Sequence, residues 1–218
     1  MTFGSRKASV SAGLGVLSVA VLMTLSGCAV AVSDEELFEQ ARGVYMDYRS
    51  AAADVQVAVL DADWVIDDYG DTPNACGQDG YSFRSVHSTP SGWRIEGTPS
   101  EAADRLAGWL SANGWSDVKK RTYSEGIADV VVEATKPDAH VDRLTVDISP
   151  GKLYDSTTIY AYSTCEPGDA LVISDLRRPG YPEDEATLEK KPSEEHPLAE
   201  RSFGYTPDGQ RRFWPDAQ

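Results

Sequence analysis

The chain has 218 residues, 20 Lys+Arg against 35 Asp+Glu, and a formal net charge of −15. With 41% hydrophobic and 25% charged residues it has the composition of a globular protein, not of a disordered or collagenous one. The length fits one domain with extra segments. The deficit of Lys and Arg argues against nucleic acid as a partner, because a phosphate backbone is held by clustered cations.

Arg6 and Lys7 precede an uncharged apolar stretch, Leu14 to Leu25. It is too short for the roughly 20 residues of a spanning helix and the right length for the core of a signal peptide. Directly behind it stands Leu25-Ser26-Gly27-Cys28, which resembles the bacterial lipobox. The resemblance implies cleavage before Cys28, a diacylglycerol on its sulfur and an acylated new amine. Two or more acyl chains anchor a protein stably, whereas one does so only marginally. The alternatives are a plain secretory signal with an incidental cysteine, or an N-terminal anchor helix. The expectation is a signal peptide over 1–27, a lipidated N-terminus over 28–33, and a place on the extracytoplasmic face of the cell membrane. Losing Arg6 and Lys7 would leave 18 basic against 35 acidic residues. Cys76 and Cys165 then remain. In an oxidising compartment two leftover thiols pair, and neither sits in the C-x-x-C motif that a metal or redox pair would favour.

An α+β domain is expected over 34–166. Ser33-Asp34-Glu35-Glu36 reads as a capping box, with the Ser33 hydroxyl at the N-cap and Glu36 three residues on. Apolar residues then recur at helical spacing from Leu37 to Val59 and on through Ala62, Ile66 and Tyr69, predicting a helix over 34–60 that continues or restarts toward 68. Gly70 to Gly80 is a turn-rich loop holding Cys76. Tyr81–His87 and Trp93–Glu96 alternate around Thr89-Pro90-Ser91-Gly92 and predict a hairpin. Thr98-Pro99-Ser100-Glu101 is a second capping box, opening a helix that buries Ala103, Leu106, Ala107 and Leu110 and ends at Asn113-Gly114. Four strands follow, at 115–123, 127–135, 141–149 and 157–164. In the third, Leu144, Val146 and Ile148 oppose Arg143, Thr145 and Asp147, the pattern of a strand with one buried face. The economical packing is two layers: an antiparallel meander sheet covered by the long N-terminal helix and the second helix.

Residues 167–218 hold seven of the twelve prolines and few core formers, which predicts a mostly flexible acidic tail. Phe203 to Trp214 places Pro-Asp-Gly between aromatic arms, a hairpin signature that would need a surface to dock on.

Motifs that carry chemistry are few. His87, His140 and His196 are scattered over a strand, a turn and the tail, with no Gly-x-Ser-x-Gly elbow and no His-Glu-x-x-His. Asp61, Asp63, Asp67, Asp68, Asp71 and Asp79 invite a calcium reading, but no register supplies the EF-hand ligands with Gly at position six. They read as acids on the wet face of a helix end. Neither catalytic residues nor metal ligands nor a cofactor is assigned. Five Trp and ten Tyr supply the core and, alternatively, an aromatic ligand platform.

Cys28, Cys76, Thr98–Gly114 with Trp115, and Ile159–Cys165 resemble the actinobacterial LppA-like lipoproteins over about residues 28–170. The resemblance implies an exported α+β lipoprotein with a Cys76–Cys165 bridge, and it carries no catalytic residues across. The expected role is a non-enzymatic, membrane-anchored module that binds a protein or envelope component. The other reading is a small-ligand carrier with a pocket between helices and sheet. A deep apolar pocket would favour the carrier, and a flat exposed aromatic patch the partner-binding module.

Overall fold

The computed structural model describes residues 32–124, 127–180 and 188–214. The signal segment and Cys28 lie outside the described residues. Helix α1 runs over Asp34–Val59 and opens on the expected capping box: Glu36 N donates to Ser33 Oγ at 3.3 Å, and Ser33 N to the Glu36 carboxylate at 3.0 Å. Helix α2, Pro99–Ala112, repeats the device with Thr98 and Glu101. It stops where Asn113 N donates back to Leu110 and Trp109 carbonyls and Gly114 turns to φ 79°.

Five of the larger strands are β1 (Trp64–Asp68), β4 (Arg84–Ser88), β5 (Ser116–Thr122), β6 (Val130–Lys136) and β7 (Val141–Ser149). With β8 (Ser156–Ser163) and β10 (Glu194–Glu195) they form a seven-stranded antiparallel sheet in the order β10-β1-β4-β8-β7-β6-β5. The inner rows follow from register. Val132 faces Val146, which faces Ile159, which faces His87; one row along, Val130, Ile148 and Thr157 are aligned. Strand alternation puts these side chains on one face, where α1 covers β7 and β8 and α2 covers β5, β6 and β7. The fold is therefore α+β, a helical layer on one side of an antiparallel sheet. At one edge, β5 carries Lys119, Lys120 and Arg121 and a bulge near Asp117, features that discourage pairing with another chain.

A second, three-stranded sheet joins β2 (Asn74–Cys76), β3 (Gly80–Ser82) and β9 (Glu166–Pro167). Here Cys76 and Cys165 are bonded, their Cα atoms 5.9 Å apart and 89 residues apart in the chain. The short helix α3 (Ala170–Leu176) follows, and a hairpin of β11 (Ser202–Tyr205) and β12 (Arg211–Phe213) closes the described chain.

Three expectations give way. The chain does not stay helical toward 68: Leu60 leaves helical geometry, and β-branched Val65 and Ile66 extend behind Trp64, whose indole N–H donates to Leu60 O at 3.0 Å. Trp93–Glu96 is not a strand, because β4 pairs with β1 and β8 instead of folding back on 93–96. The described part of the 167–218 segment is not a loose tail. Phe203 is fully buried, its ring centroid 5.4 Å from Phe38, 5.1 Å from Tyr45 and 5.9 Å from Phe83. Glu194 and Glu195 pair with β1. The charges that made this segment look solvated are matched: buried Asp71 binds both Arg177 and Lys191, and Arg211 donates to the Tyr69 hydroxyl at 2.8 Å. Gly204 fits because its φ of 77° brings the backbone against Arg177, whose carbonyl would lie 2.8 Å from an added Cβ. Tyr205 N donates to that same carbonyl at 2.7 Å.

Candidate functional site

After β4 the chain takes an irregular path over 89–98 that shapes a concavity between the helices and the sheet. Two bonds fix its start: Thr89 N donates to Thr157 O and Thr157 N to Thr89 Oγ1, both at 3.0 Å. Asp155, in the β7–β8 turn, fixes the middle. Its carboxylate accepts from Ile95 N and from Gly151 N, both at 2.9 Å, and its own N–H donates to Trp93 O at 3.0 Å. The backbone donors Gly151 and Ile95, with Arg94 beside them, hold the Asp155 carboxyl below the usual carboxylate range. Arg94 binds the same turn through the carbonyls of Gly151, Lys152 and Leu153. The segment that sequence alternation assigned to a strand is thus bent over the end of β7 and β8 by one carboxylate and one guanidinium.

Beneath this arch lies a cleft of about 460 Å³ between the two helices and the sheet. That is within the range of about 300–1,000 Å³ that small-molecule sites occupy. Its floor is Ile148 and Thr157, neighbours in register on the inner sheet face. The last turns of α1 supply Ala58 and Val59; α2 supplies Ala102, Leu106 and Trp109. Trp93 and Ile95 close it from the arch. The two indoles are only half-buried, unlike Trp64, which is wholly enclosed. Thr157 is 1% exposed and its hydroxyl meets no hydrogen-bonding partner among the described residues.

The rim is charged. Arg105 donates to the Glu96 carbonyl at 2.7 Å, and both side chains are exposed. The Glu96 carboxylate itself forms no hydrogen bond or ion pair with a described residue. The arrangement offers an aromatic slot with Arg105 and Glu96 at its mouth, beside an Arg94 that the 151–153 carbonyls and Asp155 occupy. It can orient a small ligand by stacking and by charge.

The histidines lie elsewhere and tie elements together. His87 is buried on the inner sheet face with Nε2 3.2 Å from the Arg49 guanidinium of α1. Burial, then Arg49 and Arg201, push its pKa down to about 2, so it is neutral. His140 caps a 3₁₀ turn and bonds Glu166 at 3.1 Å and Thr164 at 3.2 Å; His196 bonds Asp61 at 3.1 Å. The aspartates of the calcium reading are dispersed rather than gathered on a helix end. Asp68 binds Arg84 and Asp67 accepts from Ser88, while Asp71 is 2% exposed between two cations. Burial alone would raise the Asp71 carboxyl, but Arg177 and Lys191 outweigh it and hold it low. Among the described residues, no group of three His, Cys, Asp or Glu is placed to hold a metal ion, and no helix is long and apolar enough to cross a membrane.

Sequence reasoning offered a pocket between helices and sheet as its second reading and noted the aromatic supply, but it named none of the residues that line this cleft. A signal was present on α2: Ala102, Leu106 and Trp109 recur at spacings of four and three, flanking the buried stripe of Ala103, Leu106 and Leu110. The apolar face is wider than packing on the sheet requires. Arg105 could not be singled out, because its neighbour Glu96 is brought to it by the bent arch. Comparison with protein-family models, with curated proteins and with solved structures finds no match.

Proposed function

We propose that this protein is a lipoprotein, anchored through Cys28 on the extracytoplasmic face of the cell membrane, whose domain binds a small molecule in the cleft between helices and sheet. Its likeness to the actinobacterial LppA-like lipoproteins belongs to the same proposal. The observation that carries the binding role is the half-buried pair Trp93 and Trp109 over a floor of Ile148 and Thr157, within about 460 Å³. A concavity of this size lined by two indoles has the dimensions and lining of a small-molecule site, which supports this reading. A module reading a protein or envelope surface would present a contiguous apolar patch. Among the described residues the exposed large apolar side chains are instead spread along the chain: Leu171 on α3, Phe213 on β12, and Val32, Tyr123, Ile127, Leu153, Tyr154 and Leu198 in connecting segments. The carrier reading is therefore preferred.

The hydrophobic fluorophore N-phenyl-1-naphthylamine tests the cleft. The mature chain lacking Cys28 keeps the whole core, since residues from Val32 on form one compact unit. It should bind the fluorophore saturably at one site. Ala58→Trp, an exposed position on the cleft wall, should abolish that binding without a fall in melting temperature. Unsaturable or unchanged fluorescence in both proteins refutes the role. For the anchor, globomycin treatment or Cys28→Ala should leave an uncleaved precursor, and normal processing in both refutes it.

A further inference from the structure

Resting on the cleft reading, we infer that the occupant is a small zwitterion with an aromatic body, a free aromatic amino acid. The cleft narrows the chemistry in two steps. Its walls are Val59, Ile95, Leu106 and the two indoles, and its floor is Ile148 with Thr157, so the buried part of the ligand presents a flat apolar face for the indoles to stack on. The groups at the mouth fix the rest. Arg105 uses one guanidinium N–H on the Glu96 carbonyl and keeps the other donors for an outside acceptor. Glu96, whose main-chain carbonyl Arg105 holds, has an exposed carboxylate that pairs with no described residue.

An exposed cation and an exposed anion on the same rim, not paired to each other, complement a ligand carrying both signs. An α-carboxylate meets Arg105 and an α-ammonium meets Glu96, while the ring enters between Trp93 and Trp109. A residue inside a peptide lacks one or both of these charges, which singles out the free amino acid. Arg94 takes no part, because the carbonyls of residues 151–153 and Asp155 occupy it.

Calorimetric titration of the mature chain with three related probes tests this: L-tryptophan, indole-3-propionate without the ammonium, and tryptamine without the carboxylate. L-Tryptophan should bind at least about tenfold more tightly than either analogue, the range expected for a charge-assisted hydrogen bond at a partly enclosed site. Arg105→Gln should weaken L-tryptophan and indole-3-propionate about tenfold and leave tryptamine unchanged, with Arg105→Lys restoring most of the loss. Glu96→Gln should weaken L-tryptophan and tryptamine and spare indole-3-propionate. Equal affinity for the three probes, no binding of any, or indifference to both substitutions overturns the ligand class. If N-phenyl-1-naphthylamine still binds saturably in that case, the cleft reading stands and only the zwitterion falls. If it does not bind either, both fall.

Discussion

Truncating Phe203 to Ala tests whether the C-terminal hairpin is part of the fold. Its ring is fully enclosed by Phe38, Tyr45 and Phe83, and the Arg177 guanidinium lies 5.2 Å above it. Deleting a buried phenylalanine side chain costs about 3–5 kcal/mol through lost transfer energy and the cavity left behind. Three tilted or edge-on ring contacts, each worth about 0.5–1.5 kcal/mol, place this site in the upper half of that range. For a domain of this size, about 4 kcal/mol corresponds to a fall in Tm of about 8–16 °C. Differential scanning calorimetry of the mature, disulfide-intact chain reads it directly. Phe213→Ala supplies the control on the same hairpin, since that ring is 42% exposed and its loss should move Tm by no more than about 2 °C. If Phe203→Ala shifts Tm as little as Phe213→Ala, the hairpin is not docked in solution and the packing argued here is wrong.

Other perturbations reach different parts of the fold. Replacing Cys76 and Cys165 together by Ala opens a loop with an 89-residue separation, and the chain-entropy account gives a loss of about 4–5 kcal/mol, read as a lower urea midpoint. A midpoint unchanged from the oxidised protein would show that the bridge constrains nothing. His87 makes stability depend on pH. It is neutral in the fold, with a pKa near 2 against 6.5 unperturbed, so the unfolded chain binds the extra proton and stability falls as pH drops below about 6.5. Lowering the pH to 5 should cost about 2 kcal/mol through this group, before carboxylates titrate. His87→Gln should flatten that slope, and an equal slope in the variant would remove His87 as its source. Thr157→Val removes a buried hydroxyl that has no partner among the described residues and nearly keeps its shape. The empty protein should gain about 1–2 kcal/mol, and a lower Tm would mean that the hydroxyl is satisfied by an ordered water.

The parts of the fold that the sequence displays are those stabilised by local chemistry. Both capping boxes, Ser33/Glu36 and Thr98/Glu101, sit in contiguous residues, and the alternation of 141–149 is a local record of one buried face. The Cys76–Cys165 bond followed from counting thiols. What escaped was decided by tertiary partners. Ala62, Ile66 and Tyr69 keep helical spacing by number alone, but strand β1 forms because β4 and β10 offer it hydrogen bonds on both sides. The alternation of Trp93–Glu96 is overridden by Asp155, a residue some 60 positions away. In 188–214 the strands are two to four residues long, too short for any periodicity, and Lys191 and Arg211 look solvated until Asp71 and Tyr69 are seen beside them. The cleft was anticipated only as a second reading, and its residues showed in the sequence as a surplus of tryptophan and an apolar face on α2.

The most direct test of the binding role uses the five tryptophans as reporters in a ¹H–¹⁵N correlation spectrum. On titration of the mature chain with N-phenyl-1-naphthylamine, the indole N–H signals of Trp93 and Trp109 should move together and saturate. Those of Trp64, Trp115 and Trp214, which do not line the cleft, should stay in place. Five stationary signals, or shifts confined to the other three indoles, would contradict the account.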